Sequence, residues 1–245
     1  MLKLFFWLRA LIFILALYIL VLSWTILCLP AFLLPVKKRE FVPIGMAVIG
    51  QVLMRLIGIK IKVEGLENLP KEGGYILASK HQSALESFIF HKSVNKIIYV
   101  LKRELTWIPV VGWWFRGTNC IVINRAGAGK AMKQMFEETK KRMEQGYHLV
   151  IFPEGTRTPV GKRIPFSPGI ALLYEKLDTP IIPVALNTGY CWPKNKLIKY
   201  PGTVTVRFLP AMEKGMERRS FLKALEETVN DTVDDLPKPN TYFDK

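Results

Sequence analysis

Tyr75-Ile76-Leu77-Ala78-Ser79-Lys80-His81-Gln82-Ser83-Ala84-Leu85-Glu86 changes character twice along its length. Tyr75–Ser79 is a short apolar run that follows the polar turn region Glu64–Gly74, the pattern of a buried strand. Polar residues interrupt it from Lys80 to Ser83, and a helical pattern runs from Ser83 to Phe90. A strand that feeds a helix through a polar loop is the repeating unit of α/β sheets. The same alternation fills the rest of the chain. Strands are expected at Lys60–Val63, Lys96–Leu101, Cys120–Ile123, His148–Phe152, Ile181–Leu186 and Val204–Leu209. Helices are expected at Ala128–Glu144, Pro168–Leu177 and Ser220–Leu236, the last followed by Pro237 and Pro239. The expected fold is therefore α/β, with a mixed, largely parallel sheet flanked by helices.

Upstream the composition differs. Leu4 to Val36 is almost continuously apolar, with Arg9 its one charge. That exceeds the roughly 20 residues a spanning helix needs. Pro30 and Pro35 should end the helix. A basic cluster, Lys37-Lys38-Arg39, follows, and then a further apolar stretch, Ile44 to Ile59, interrupted by Arg55. Residues 1–59 read as hydrophobic membrane-anchoring helices and residues 60–245 as the α/β domain. Basic residues flank the first segment at both ends, at Lys3 and Arg9 and at Lys37–Arg39, and such residues favour the cytoplasmic side. The pattern favours a two-helix element docked on the cytoplasmic face, with a single spanning helix as the alternative. The run is too long for a signal peptide, and Pro30–Pro35 is no small-residue cleavage site.

Half of the 245 residues are hydrophobic, and mean hydropathy is +0.19. Yet Lys and Arg number 35 against 20 acidic residues, a net charge of +15. A disordered chain is excluded by this hydrophobicity. The combination suits an anionic membrane surface or anionic ligands. Nucleic acid is the other usual reason for such a charge, but the basic residues are dispersed and match no recognised module, so no nucleic-acid partner is expected. Three cysteines (Cys28, Cys120, Cys191) fit a reducing compartment rather than a disulfide scaffold. No Cys/His spacing suggests a metal site.

In such sheets the working residues lie in loops at strand ends. Histidine suits general-base work near neutral pH, and a carboxylate on its other ring nitrogen orients it. His81 and Glu86, on either side of a strand-to-helix turn, can meet. Ser83-Ala84-Leu85-Glu86 is also a capping-box pattern, so on these residues alone a helix cap and a loop histidine stand equally open. After His148–Phe152 comes Pro153-Glu154-Gly155-Thr156-Arg157, whose guanidinium can grip a phosphate with two parallel hydrogen bonds. His91 and His148 read as structural, and Cys120 as a buried thiol. Trp107, Trp113 and Trp114 fit interfacial anchors and core residues equally.

Taken together, these blocks resemble the membrane-bound glycerolipid acyltransferases, in particular the 1-acylglycerol-3-phosphate (lysophosphatidic acid) acyltransferases. The family's first block, His-x4-Asp, is similar to His81…Glu86. Gly117–Arg125 resembles its next block, Phe152-Pro153-Glu154-Gly155-Thr156-Arg157 matches the third, and Ile182–Leu186 resembles the fourth. Lys102-Arg103-Glu104-Leu105 and Ile108–Trp113 fit between the first two. The blocks occur in order across roughly residues 60 to 210.

The resemblance implies transfer of a fatty acyl group from acyl-CoA or acyl carrier protein to the sn-2 hydroxyl of lysophosphatidic acid. Phosphatidic acid would form without metal or cofactor, the thioester being a co-substrate. His81 would be the base and Glu86 its orienting carboxylate. Lys102, Arg157 and Arg125 would bind the acceptor phosphate, and Glu154, Gly155 and Thr156 would complete the substrate-binding set. It further implies a catalytic domain on the cytoplasmic face of the inner membrane or another cytoplasm-facing membrane, against anionic lipid, with acyl carrier protein a possible partner. Other lysolipid acceptors, such as lyso-ornithine lipid, and a silent lipid-binding protein are the alternatives. One departure matters: Glu86 stands where the family has Asp, one methylene longer, and an error near 1 Å can cost roughly a hundredfold in rate.

Overall fold

The computed structural model describes residues 2–124 and 128–239. Seven strands form one sheet: β1 (Ile59–Glu64), β2 (Ile76–Ser79), β3 (Ile97–Lys102), β4 (Ile121–Ile123), β5 (His148–Ile151), β6 (Ile181–Leu186) and β7 (Gly202–Phe208). Their order is β1-β7-β6-β2-β5-β3-β4. Only the β6–β7 pair is antiparallel; every other neighbouring pair is parallel. The sheet is thus mixed and largely parallel, as the alternation implies. The central strands β2 and β6 are buried along their whole length, which explains why they read as unbroken apolar runs rather than alternating ones.

Helices cover both faces. They are α1 (Leu2–Leu27), α2 (Phe41–Leu56), α3 (Leu85–Ser93), α4 (Val111–Gly117), α5 (Ala128–Glu144), α6 (Gly169–Lys176) and α7 (Arg218–Asp235). On one face Met54 of α2 and Leu85, Ile89 and Phe90 of α3 meet Leu77, Tyr99, Val150 and Val184 of the sheet. On the other, Ile170 and Leu173 of α6 and Phe221, Leu225 and Val229 of α7 meet Ile76, Ile98, Leu149 and Ile181. Successive strand residues alternate between these two cores, as the pleat requires.

The apolar N-terminal run becomes α1, which stops at Leu27, and short 3-10 turns follow across Leu29–Leu33 and Val36–Arg39. Pro30 and Pro35 lie where the helix cannot continue. Composition changes at residue 59, yet the packing is continuous across it. Phe13 of α1 and Met54 and Ile57 belong to the same core as the sheet. Two glycines on α2 permit this close approach. A Cβ on Gly45 would lie 2.4 Å from the indole of Trp24 on α1, and one on Gly50 would lie 2.5 Å from the ring of Phe88 on α3. α4 is a helix the sequence pattern does not announce. Val110, with φ 62° and ψ −61°, turns the chain into it, and the Val111 N–H donates to the Pro109 carbonyl at 2.7 Å.

Gly50→Val should push α2 away from α3. Overpacking of this kind costs about 1–3 kcal/mol. A lowered midpoint in thermal unfolding of the detergent-solubilised protein is the expected result; an unchanged midpoint would show that α2 is not seated on α3.

Candidate active site

β6, β2 and β5 are adjacent and parallel, so the residues that follow them emerge side by side at one sheet edge. Ligands in open α/β sheets bind at such carboxyl ends. β2 delivers Lys80 and His81, β5 delivers Phe152 to Arg157, and β6 delivers Asn187 and Thr188.

His81 and Glu86 meet. The Nδ1 of His81 lies 2.7 Å from Oε2 of Glu86, whose side chain is fully buried while that of His81 is 20% exposed. A buried carboxylate accepts, so Nδ1 carries the hydrogen of this bond and Nε2 is the ring nitrogen left for another partner. Glu86 Oε1 accepts from the backbone N–H of Ser83 (2.7 Å) and of Gln82 (3.1 Å), and from the hydroxyl of Thr188. The bond from the Ser83 N–H is the backward half of a capping box, so the two readings open in the sequence are one arrangement: one oxygen closes the helix start and the other holds the histidine. The same contacts bear on the Glu-for-Asp departure. Three donors fix Oε1, and Oε2 still reaches the imidazole at hydrogen-bond distance.

The backbone of His81 is held at both polar groups. Its N–H donates to Glu154 Oε2 at 2.7 Å, and its carbonyl accepts from the Thr158 N–H at 2.7 Å. Its ring stacks on Phe152, centroids 3.9 Å apart and planes 17° from parallel. Glu154 Oε1 pairs with the ammonium of Lys80 at 2.7 Å, both side chains essentially without exposure. Lys80 also donates to Asn230 Oδ1 on α7 at 2.8 Å. Each buried charge therefore has a counter-charge and further hydrogen bonds, the condition under which burial is tolerated.

In front of His81 lies a cavity of about 840 Å3. Lys102 at the end of β3 lines it, as do Gly155, Thr156 and Arg157. Gly155 has φ 67°, a left-handed conformation that glycine adopts without steric cost. Glu154, expected among the substrate-binding residues, does not line the cavity; it turns inward and supports His81 instead. Arg125 lies outside the described residues. Pattern reading missed Lys80, Thr188 and Asn230 as members of the site. Lys80, adjacent to His81, was the one accessible signal; Thr188 and Asn230 come from distant segments. Among the described residues no three His, Cys, Asp or Glu side chains gather to hold a metal ion.

Away from His81 and Glu86, His91 and His148 are kept neutral. Burial lowers each to a pKa of about 4, with Lys96 adding to the effect at His148. Burial raises the Cys120 thiol, which keeps it protonated. Trp114 is core, its indole N–H donating to the Thr25 carbonyl at 3.0 Å, whereas Trp107 and Trp113 are exposed.

Lys80→Met or Glu154→Gln alone leaves a buried charge unpaired and should cost about 3–5 kcal/mol, while the double variant should lose less than the two singles combined; additive losses in a denaturant double-mutant cycle would show the pair is uncoupled. The two histidines add a pH effect. Above pH 6.5 they are neutral folded and unfolded. Between about 6.5 and 4 the unfolded chain takes up protons that the folded chain refuses, so stability falls as pH drops through that window. His91→Phe should flatten this dependence in unfolding titrations, and an unaltered pH profile would contradict the burial of a neutral imidazole.

The profile of the family described as Acyltransferase matches residues 60–187. The chain is 41% identical over 155 residues to the 1-acyl-sn-glycerol-3-phosphate acyltransferase of Pseudomonas aeruginosa, covering 63% of this chain and 60% of that one. It is 31% identical over 183 residues to the alpha form from Mus musculus, covering 73% and 64%. The matches thus span about three-fifths of the length of these curated relatives. The solved structure of the 1-acyl-sn-glycerophosphate (LPA) acyltransferase PlsC from Thermotoga maritima superposes with a TM-score of 0.80. It is 25% identical, and the match covers 96% of this chain and 99% of that one. With the sheet order, the paired His81 and Glu86 and the Phe152–Arg157 loop all in place, the chain belongs to the Acyltransferase family.

Proposed function

We propose that the protein transfers a fatty acyl group from a thioester, acyl-CoA or acyl carrier protein, to the sn-2 hydroxyl of lysophosphatidic acid, making phosphatidic acid. The observation that carries this reading is a histidine oriented by a buried carboxylate at one nitrogen, beside a cavity that Arg157 and Lys102 also line. Nε2 of His81 takes the proton of the acceptor hydroxyl as its oxygen attacks the thioester carbonyl. The tetrahedral intermediate collapses, the C–S bond breaks, and the sulfur leaves as a thiol with the proton returned by His81. Glu86 holds the tautomer and stabilises the transient imidazolium. Arg157 and Lys102 bind the acceptor phosphate. No acyl-enzyme is needed, and neither metal nor cofactor enters the scheme.

The membrane part of the proposal rests on the placement of α1. Toward its start Arg9 donates to the Lys199 carbonyl at 2.8 Å, and toward its end the Thr25 carbonyl accepts from Trp114. A helix held to the domain near both ends lies along it. Large apolar side chains remain exposed on α1, among them Leu4, Phe5, Tyr18 and Leu27, and Leu33 and Trp107 extend the apolar surface. We therefore favour docking in one leaflet of a cytoplasm-facing membrane, the bacterial inner membrane being one such, with the exposed Lys37 and Lys38 against anionic lipid.

The purified protein, given labelled lysophosphatidic acid with acyl-CoA and separately with acyl carrier protein, should form phosphatidic acid with at least one donor. His81→Ala should abolish it. Glu86→Asp should lower kcat about 10–100-fold, since a shorter arm cannot satisfy both oxygens. No product from either donor would refute the acceptor assignment, and full activity in His81→Ala would refute the base.

A further inference from the structure

β6 and β7 are antiparallel neighbours, and two residues suffice to join such a pair. Here residues 187–201 join them, a connection of 15 residues. Topology does not require that length, and long connections in compact domains usually serve a function. This one is firmly held. Thr188 donates to Glu86, the Gly189 N–H donates to Gln82 Oε1 at 3.0 Å, and the Tyr200 N–H donates to the Cys191 carbonyl at 2.8 Å. Lys199 is 3% exposed, and its ammonium donates to the carbonyls of Lys196 and Leu197.

The segment carries a charge up to two residues of the cavity wall. Lys194 Nζ donates to the Arg157 carbonyl at 2.7 Å and lies 3.3 Å from Thr156 Oγ1, and both of those residues line the cavity. An ammonium has three donors; these contacts use two. Lys194 is five positions from the buried Lys199, whose own pKa is lowered to about 8 by burial and by the charge of Arg157. Among the described residues no carboxylate lies within ion-pairing distance of Arg157, Lys194 or Lys199. Lys199 spends its ammonium on carbonyls of its own loop, so the cations open to an anion here are Arg157 and Lys194.

Resting on the reading of Arg157 and Lys102 as phosphate ligands, we infer that Lys194 supplies a third cation to the acceptor's phosphate and makes the site select a phosphomonoester over a phosphodiester. A phosphomonoester carries about −1.5 to −2 charges at neutral pH, against −1 for a diester. The residue lies beyond the four sequence blocks and acts from the segment that also holds Glu86.

The test compares wild type, Lys194→Met and Lys194→Arg on lysophosphatidic acid and on lysophosphatidylglycerol, with one acyl-CoA donor. Lys194→Met should lower kcat/KM for lysophosphatidic acid about 10–100-fold, the loss expected for one charge-assisted hydrogen bond. The change should appear in the acceptor's KM, be several-fold smaller on lysophosphatidylglycerol, and be largely restored by Lys194→Arg. Equal losses on both acceptors, or a loss confined to kcat, would reduce Lys194 to a brace of the loop and overturn the inference. A loss confined to the KM of acyl-CoA would assign the cation to the donor's phosphates and overturn it likewise. If wild type fails to turn over lysophosphatidic acid, the proposed function fails on its own account. Equilibrium binding of lysophosphatidic acid in detergent micelles then decides the inference: weaker binding by Lys194→Met supports it, and equal affinities overturn it.

Discussion

A single buried ion pair ties the site to the fold. Lys80 and Glu154 come from the ends of two adjacent strands; Lys80 also reaches a third element, the side chain of Asn230 on α7, and Glu154 also takes the backbone N–H of His81 beside Lys80. A lone charge in that position would be costly. The two charges must therefore find each other, and they can do so only when β2, β5 and α7 are in their native relation. The position of His81 is thus tied to the same ion pair.

From that pair outward, His81 is defined on every side. Its backbone is bonded at both polar groups, its ring lies on Phe152, and its Nδ1 faces Glu86. Glu86 in turn is fixed by two backbone amides and Thr188. Preorganisation of this kind is what lets a base act without reorganisation during the reaction. It also accounts for a longer carboxylate than the family's usual one. The added methylene is absorbed at the start of α3, where backbone N–H groups are free to receive an oxygen.

Much of this was legible in the sequence, and the exceptions have a physical pattern. The seven strands stand out in two ways: β2 and β6, buried along their length, are uninterrupted apolar runs, while β1 and β7 alternate apolar and polar residues. His81, Glu86 and Arg157 lie on local motifs, so their spacing alone brings them forward. Thr188 and Asn230 are ordinary polar residues whose partners lie 102 and 150 positions away, and such pairing is invisible to local pattern. Glu154 was legible as a member of the site but not by its direction, since a motif does not say which way a side chain turns. α4 escaped because Pro109, two valines and a glycine read as a break, while the helix is set by tertiary contacts such as Trp114 with Thr25.

The pairing of β1 with β7, and the seating of α1 against residues near the end of the chain, also order events in time. Arg9 finds its acceptor 190 residues later, and Phe13 packs in a core that includes Val204 and Val206. The helix that packs on α1 most directly, α2, follows it at once, whereas Lys199, Val204 and Val206 come only after the rest of the sheet. The contacts of α1 therefore form in two stages: a local helix pair first, and the tie to the domain only when β7 has been made.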